Sequence, residues 1–324
     1  MTLRTYIIRR LILIIPTFFL ISIIIFTSIH LAPGDPIETM AAGHPLPREI
    51  IEDIRKELGL DKPIHIQYLM WLGKLLRGDL GYSYISRRPV ISMIGERIPR
   101  TLELMLAANF LSLALAIVLG VIAAVKHHSV ADALSSLAAL VGFSTPNFWM
   151  ALMAIMFFSA WLGWFPIVGV QTSGMKFPSP FHALLDHLVY LVLPTLVIIL
   201  GWTAYLFRIV RSSMLEVLGQ DYIVTARAKG LKEWIVIYKH ALRNALLPVV
   251  TYLGYSIGFL FSGVAVIESI FAWPGLGEFM VIVALARDYS AIMGLCMMIA
   301  LMVLIANLCA DIAYAIVDPR IRYD

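Results

Sequence analysis

The chain has 324 residues, of which 60% are hydrophobic and only 14% are charged, and its mean hydropathy is +0.86. Soluble globular domains carry about 25% charged residues, so this composition excludes one and indicates a polytopic membrane protein. The net charge of +4 is modest, and the basic residues lie at the edges of apolar runs, which gives nucleic-acid binding little support.

The first apolar run extends from Leu11 to Leu31 and follows three arginines near the amino terminus. It is long enough for the roughly 20 residues of a membrane-spanning helix, too long for the apolar core of a signal peptide, and is followed by no small-residue cleavage site. Five further charge-free runs follow: Leu104 to Val125, Ala133 to Met175, Leu188 to Phe207, Asn244 to Ile267 and Tyr289 to Ala310. The sequence therefore predicts an all-α membrane protein with six transmembrane helices.

The Ala133 to Met175 run is long enough for two spans, and the distribution of basic residues decides the count. With the amino terminus inside, six spans keep every basic cluster in the cytoplasm, namely Lys126, residues 208–243, Arg320 and Arg322. A seventh span would export the largest cluster. We therefore expect one span here, with its aromatic remainder at Trp161, Trp164 and Pro166 forming an outer interfacial loop.

This count divides the chain into residues 1–32 (cytoplasmic amino terminus and first span), 33–100 (external module) and 101–324 (membrane core with the other five spans). The polar external segment predicts one amphipathic helix that begins at Pro47 and ends at Gly59, and a second helix from Tyr68 to Leu76. The apolar side of the first helix would face the membrane core, a partner or the membrane interface.

A long basic segment at residues 208–247 separates two apolar runs and predicts a helix-turn-helix elbow. Asp221 is the expected N-cap, and Gly230 permits the positive φ of a sharp turn. The elbow presents small residues rimmed by cations, a shape that fits a groove on another protein; its candidate residues are Asp221, Thr225, Ala226, Arg227, Ala228, Lys229, Gly230 and Leu231. The same charges would also suit an ordinary positive-inside connection, but the spacing favours the elbow.

The segment resembles the ATPase-docking loop of ABC-importer permeases. Of the general motif only Ala226 and Gly230 are kept, whereas the variant of dipeptide, oligopeptide and nickel permeases matches closely: DYIVTARAKG from Asp221 and HALRNALLP from His240. The resemblance continues along nearly the whole chain in HLAPGDP (from His30), LGLDKP (Leu58), GDLGYS (Gly78), STPNFW (Ser144), WPGLGE (Trp273) and DPRIR (Asp318). These are marks of the B-type permease subunit.

The resemblance implies an assembly and a place in the cell. A B-type permease pairs with a C-type permease on two cytoplasmic ATPases, which hold ATP and Mg²⁺, and an external binding protein delivers the substrate. The chain would lie in the cytoplasmic membrane of a prokaryote, in contact with lipid, with both termini in the cytoplasm. Dipeptides, oligopeptides, nickel chelates and oligosaccharides all remain open as substrates.

The polar residues and motifs outside this resemblance predict a transport subunit rather than an enzyme. The sequence has no G-x4-G-K-[ST] phosphate loop, so we expect no ATP or other cofactor on this chain. The pairs His127 with His128 and His182 with His187 lack metal-site spacing and are expected at membrane edges. Glu268 and Asp311 lie at run ends, where helix pairing is at least as plausible as a transport path.

Two features keep alternatives open. A secondary transporter or channel would need coupling carboxylates or a filter at mid-membrane, and the spans are almost free of such residues. Gly254 and Gly258 form a small-xxx-small pair that predicts close packing of the fifth span on another helix, with pore lining as the alternative.

Overall fold

The computed structural model describes residues 3–31, 52 and 59–317 of the chain. Within these residues the regular structure is helical, apart from one isolated antiparallel bridge between Tyr82 and Pro89. The helices are α1 (Leu3–Leu31), α2 (Ile64–Leu75), α3 (Val90–Val125), α4 (Val130–Ser144), α5 (Asn147–Ala154), α6 (Pro180–Leu218), α7 (Asp221–Ala228), α8 (Glu233–Ile235), α9 (Leu242–Ala245), α10 (Leu247–Phe259), α11 (Ala265–Ile270), α12 (Leu276–Leu285) and α13 (Tyr289–Val317). Two π-helical turns extend α5 and α8, at Ile155–Trp161 and Val236–Ala241.

Four helices in the described part are long and apolar enough to cross a membrane: Ile7–Leu31, Val90–Val125, Pro180–Leu218 and Tyr289–Ile312. They coincide with four of the six predicted runs and confirm an all-α polytopic membrane protein. The other two runs are broken, so the count of six stays a prediction. The predicted helix that begins at Pro47 lies outside the described residues. The second predicted helix of this module exists as α2, which begins four residues earlier than predicted; its external location stays a prediction.

The Ala133 to Met175 run contains two helices, Val130–Ser144 and Asn147–Trp161, bent by 102° at their junction. Pro146 explains the break, because the residue before a proline avoids the helical region and Thr145 has ψ 128°. The pair forms at most one span, either broken or re-entrant. Trp161 ends the π-helical turn, so the prediction that it lies in the loop is wrong, while Trp164 and Pro166 do follow the helix.

The fifth predicted span is shorter than expected. The helix α10 has 13 residues, a rise of about 20 Å, whereas a bilayer core is about 30 Å thick. The chain then turns at Gly263, whose φ of +68° suits glycine, and α11 follows. A Cβ on Gly258 would lie 2.6 Å from Asn307 Oδ1, so close helix packing at this glycine is confirmed.

The chain divides into two compact units. Unit 1 comprises Met1–Thr101, Ile257–Ala265 and Pro274–Asp324. Its apolar core joins α3, α12 and α13 through Leu80, Val90, Ile94, Leu276, Phe279 and Leu295. In the same unit Arg10 of α1 pairs with Asp311 of α13 at 3.1 Å, which confirms the helix-pairing interpretation of Asp311.

Unit 2 comprises Leu102–Ser256 and Val266–Trp273 and contains the predicted elbow. The helix α4 packs tightly on α6, since a Cβ on Gly142 would lie 3.0 Å from the backbone oxygen of Leu200. At the ends of α3 and α6, buried aliphatic side chains form the core on which the elbow rests.

Candidate docking elbow

The first arm of the elbow is α7, which begins at Asp221, one residue earlier than a cap at Asp221 would require. Gln220 is the N-cap, no side chain caps the helix, and Asp221 is the first helical residue. The prediction of Asp221 as N-cap is therefore wrong. Its carboxylate still lies at the positive end of the helix dipole, which explains an acidic residue here. Thr225 donates its hydroxyl to the Asp221 carbonyl oxygen at 2.9 Å.

The turn after α7 closes by a Schellman motif. The Leu231 N–H donates to the Ala226 carbonyl at 3.4 Å, and the Gly230 N–H donates to the Arg227 carbonyl at 2.9 Å. This pattern requires a left-handed residue just past the helix, and Gly230 has φ +75°, as predicted. A Cβ on Gly230 would meet no atom within 4 Å, so the backbone conformation alone requires glycine here.

The small residues of the elbow face two ways. Ala226 is only 8% exposed and packs with Ile223 in the unit 2 core, whereas Ala228 is exposed. Residues three apart share a helix face and residues two apart do not, which explains the division. The prediction that Ala226 belongs to the outward knob is wrong. The exposed small surface runs from Ala228 to Gly230.

The two predicted cations also differ. The Arg227 guanidinium donates to Glu233 Oε1 at 2.7 Å and thus ties α7 to α8. This contact lowers the pKa of the Glu233 carboxyl below its usual range, and the same contact raises the pKa of Arg227. Lys229 is exposed, and its side chain has no hydrogen bond or ion pair within the described part of the chain. Of the two, Lys229 is the cation available to a partner.

Exposed aromatic residues extend the elbow surface. Trp234 is 62% exposed and Tyr238 is 58% exposed, and the smaller Val224 of α7 is also exposed. Sequence reasoning missed these residues, although two aromatic residues four positions apart in a basic segment are a usable signal of an outward apolar stripe. The elbow therefore combines small, apolar and cationic side chains on its exposed side.

The buried side of the elbow connects it to the ends of two spans. Ile223 and Ala226 belong to one core with Val210 and Met214 of α6 and with Val121 and Ala124 of α3. The spans themselves touch closely, because a Cβ on Gly120 would lie 2.7 Å from Val210 Cγ1. A close-packed core resists compression, so displacement of α7 must displace these span ends.

An ion-pair network locks the same region. Arg211 of α6 holds Asp132 of α4 in a bidentate pair, with Nε–Oδ1 at 2.6 Å and Nη2–Oδ2 at 2.9 Å. His127, predicted only as an edge residue, contacts Asp132 Oδ2 at 3.0 Å. Sequence reasoning missed this network because Asp132 and Arg211 are 79 positions apart. It fastens the α3–α4 turn to α6 beside the elbow.

The two histidines of the other pair, His182 and His187, contact different partners. The ring of His182 contacts the Ser179 hydroxyl at 2.9 Å, whereas His187 lies between the Val170 carbonyl and the Glu103 carboxylate. Residues 3–31 and 59–317 contain no cluster of three His, Cys, Asp or Glu side chains that could hold a metal ion.

Two family models match the chain almost end to end. Residues 3–105 match the amino-terminal model of the binding-protein-dependent transport system membrane component, and residues 116–323 match the model "Binding-protein-dependent transport system inner membrane component". The chain belongs to this family. It is the B-type permease subunit of an ABC importer, a transport subunit rather than an enzyme.

Curated relatives of this permease are similar over their full length. The chain is 44% identical to the oligopeptide transport system permease protein AppB of Bacillus subtilis, over 98% of this chain and 99% of the relative. It is 41% identical to the dipeptide transport system permease protein DppB of Escherichia coli, over 98% of both chains. A putative peptide permease protein of Brucella ovis is also 41% identical, with the same coverage.

Proposed function

We propose that this permease carries peptides across the cytoplasmic membrane and that the elbow is its contact with a partner ATPase. The proposal depends above all on one observation: an exposed surface of small and apolar residues lies directly over a core that contains the ends of α3 and α6. The substrate class follows the names of the full-length relatives, which are oligopeptide and dipeptide permeases.

The proposed assembly has the parts that family membership calls for. A C-type permease completes the substrate path, two cytoplasmic ATPases bind ATP and Mg²⁺, and an external binding protein supplies the peptide. Both termini and the elbow lie in the cytoplasm, and residues 33–100 lie outside. The basic residues near both termini and in residues 208–247 support this orientation.

Force would pass from the ATPase to the spans through the buried side of α7. Closure of the ATPase pair pushes the surface from Ala228 to Gly230, and Ile223 and Ala226 carry the displacement into the span ends. The Arg211–Asp132 pair keeps the α3–α4 turn attached to α6, so that the helices move together. Packed cores switch between discrete arrangements, which suits alternating access.

The test uses the assembled complex in proteoliposomes with its binding protein. Ala228→Trp adds bulk on the exposed face, so we expect peptide uptake and ATPase stimulation to fall at least tenfold while the thermal unfolding midpoint is unchanged. Lys229→Ala is the matched control; exposed ion pairs contribute about 0 to 1 kcal/mol, so uptake should fall less than about fivefold. Normal uptake by Ala228→Trp would remove the elbow from the mechanism.

A further inference from the structure

A cavity of about 480 Å³ lies within unit 1, remote in sequence from the elbow. Phe26 and His30, from the last turns of α1, line one side, and Ser290 and Met293, from the first turn of α13, line another. The apolar stretch of α1 ends at Leu31 and that of α13 begins at Tyr289. Because residues from the ends of two apolar spans line this cavity, we expect it at the level of the lipid headgroups.

Aromatic side chains form part of the cavity lining. Phe26 and Trp71 both line it, with ring centroids 5.6 Å apart. Aromatic rings of this kind concentrate at membrane interfaces, where an apolar body meets a polar boundary. Leu20 and Ile24, which precede Phe26 on α1, are exposed apolar side chains.

The cavity lining includes side-chain hydrogen-bond donors that have no acceptor among the described residues. Lys74 and Arg87 line the cavity and are exposed, and neither side chain has a hydrogen bond or ion pair among the described residues. The Tyr84 hydroxyl, also in the lining, has no partner there either. Burial, and to a lesser extent the charge of Asp288, raises the pKa of Tyr84 to about 12, so its hydroxyl stays a donor at neutral pH.

The balance of charge in the lining favours an anion. Asp79 is the carboxylate among the lining residues, and its Oδ1 already accepts the Gly81 N–H at 2.9 Å. The remaining lining residues include two cations, Lys74 and Arg87, and two phenols, Tyr82 and Tyr84. Arg87 also has φ +58°, a costly conformation for a side-chain-bearing residue that is often found at ligand sites.

We propose that this cavity binds the phosphate of an anionic phospholipid, with Lys74, Arg87 and Tyr84 as donors and the acyl chains lying along α1. A lipid fits better than a soluble anion because the same lining contains the aromatic side chains Phe26 and Trp71 and residues from the ends of two apolar spans. The inference rests on membrane insertion alone and is independent of the proposed elbow function.

The test measures lipid retained by the purified full-length chain after exchange into vesicles of phosphatidylcholine with or without phosphatidylglycerol, by native mass spectrometry. We expect preferential retention of phosphatidylglycerol. A cation near an anionic lipid surface contributes about 1 kcal/mol, so Lys74→Gln and Arg87→Gln should each lower retention about fivefold. Tyr84→Phe removes only the hydroxyl and should give a smaller loss with an unchanged fold.

Arg77→Gln is the matched control, because Arg77 is exposed on the same segment but does not line the cavity. Equal losses in Arg77→Gln and Lys74→Gln, or no loss in Lys74→Gln and Arg87→Gln, would overturn the proposal. Soluble glycerophosphoglycerol that bound as well as the lipid would identify a free-anion site instead. Displacement of the lipid by a dipeptide would identify a substrate-carboxylate site, and either result would reject the lipid assignment.

Discussion

Two irregular segments of this permease contain tight turns that are stabilised by different kinds of hydrogen bond. The elbow from Asp221 to Leu231 closes through bonds between residues three to five positions apart. The hairpin from Asp79 to Pro89 depends on Asp288, more than 200 positions away. Both use glycine at positive φ, with +75° at Gly230 and +78° at Gly81.

The hairpin is organised around a buried carboxylate. Asp288 is 1% exposed and accepts the Ser83 hydroxyl at 2.5 Å and the Tyr84 N–H at 3.1 Å. It also accepts the Ala291 N–H at the start of α13 at 3.2 Å. One side chain thus satisfies donors from two distant segments, whereas the backbone hydrogen bonds that close the elbow turn join residues three to five positions apart.

The two turns should respond differently to mutation. A substitution in a turn closed by its own residues removes only the stability that those residues contribute, and the exposed surface of the turn stays available to a partner. A turn closed by a distant buried carboxylate fails when that carboxylate is removed, because its partners are left without acceptors.

The largest expected effect is that of Asp288→Ala. The Ser83 hydroxyl and the Tyr84 N–H would lose their acceptor, which costs about 2 to 4 kcal/mol of the free energy of unfolding. Asp288→Asn keeps one acceptor oxygen and should cost less. In the elbow, Asp221→Ala removes a carboxylate that makes no capping bond and should cost under about 0.5 kcal/mol. Thermal unfolding in detergent measures all three, and a similar cost for Asp288→Ala and Asp221→Ala would contradict the comparison.

An intermediate loss of stability is expected for alanine at Gly230 or Gly81, and comparing the two variants separates the cost of backbone strain from the cost of crowding. Gly230→Ala should cost about 1 to 2 kcal/mol through positive φ alone, because its Cβ meets no atom within 4 Å. Gly81→Ala carries the same strain, and its Cβ would lie 2.8 Å from Ser290 Oγ, which adds about 1 kcal/mol.

Valine does not tolerate positive φ and asparagine does, so Gly230→Val should lower both stability and peptide uptake, whereas Gly230→Asn should retain most of both. Hydrogen exchange across residues 221–235 would locate the change. If Gly230→Ala destabilised the protein more than Gly81→Ala, crowding at Ser290 could not be the distinguishing cost.

The smallest expected effect is the pH dependence of the elbow. Arg227 lowers the pKa of Glu233 in the folded chain below the ordinary value of 4.5, so the pair stabilises the fold above that pH and the contribution disappears as pH falls through the lowered pKa. Both groups are exposed, so the effect is about 0 to 1 kcal/mol. The difference in unfolding midpoint between wild type and Glu233→Gln, followed from pH 7 to pH 3, should shrink toward zero; a difference that grows would reverse the sign.

The sequence by itself determined the features that follow from the hydrophobicity of a segment or from residues adjacent in the chain. Long apolar runs must be buried in lipid or protein, which predicted α1, α3, α6 and α13, and the glycine after a short helix predicted the positive φ of Gly230. The family resemblance is carried by short motifs of adjacent residues along the chain, so the order of the amino acids was sufficient for it.

Only the tertiary structure decided which side chains meet across long separations. Three features depend on how the helices pack, and residue types alone do not specify that packing. They are the pairing of Asp132 with Arg211, the contact of Asp288 with the hairpin, and the burial of Ala226 next to an exposed Ala228. The 102° break at Pro146 and the short α10 also required it, because hydropathy measures how apolar a segment is and carries no information about where its axis turns.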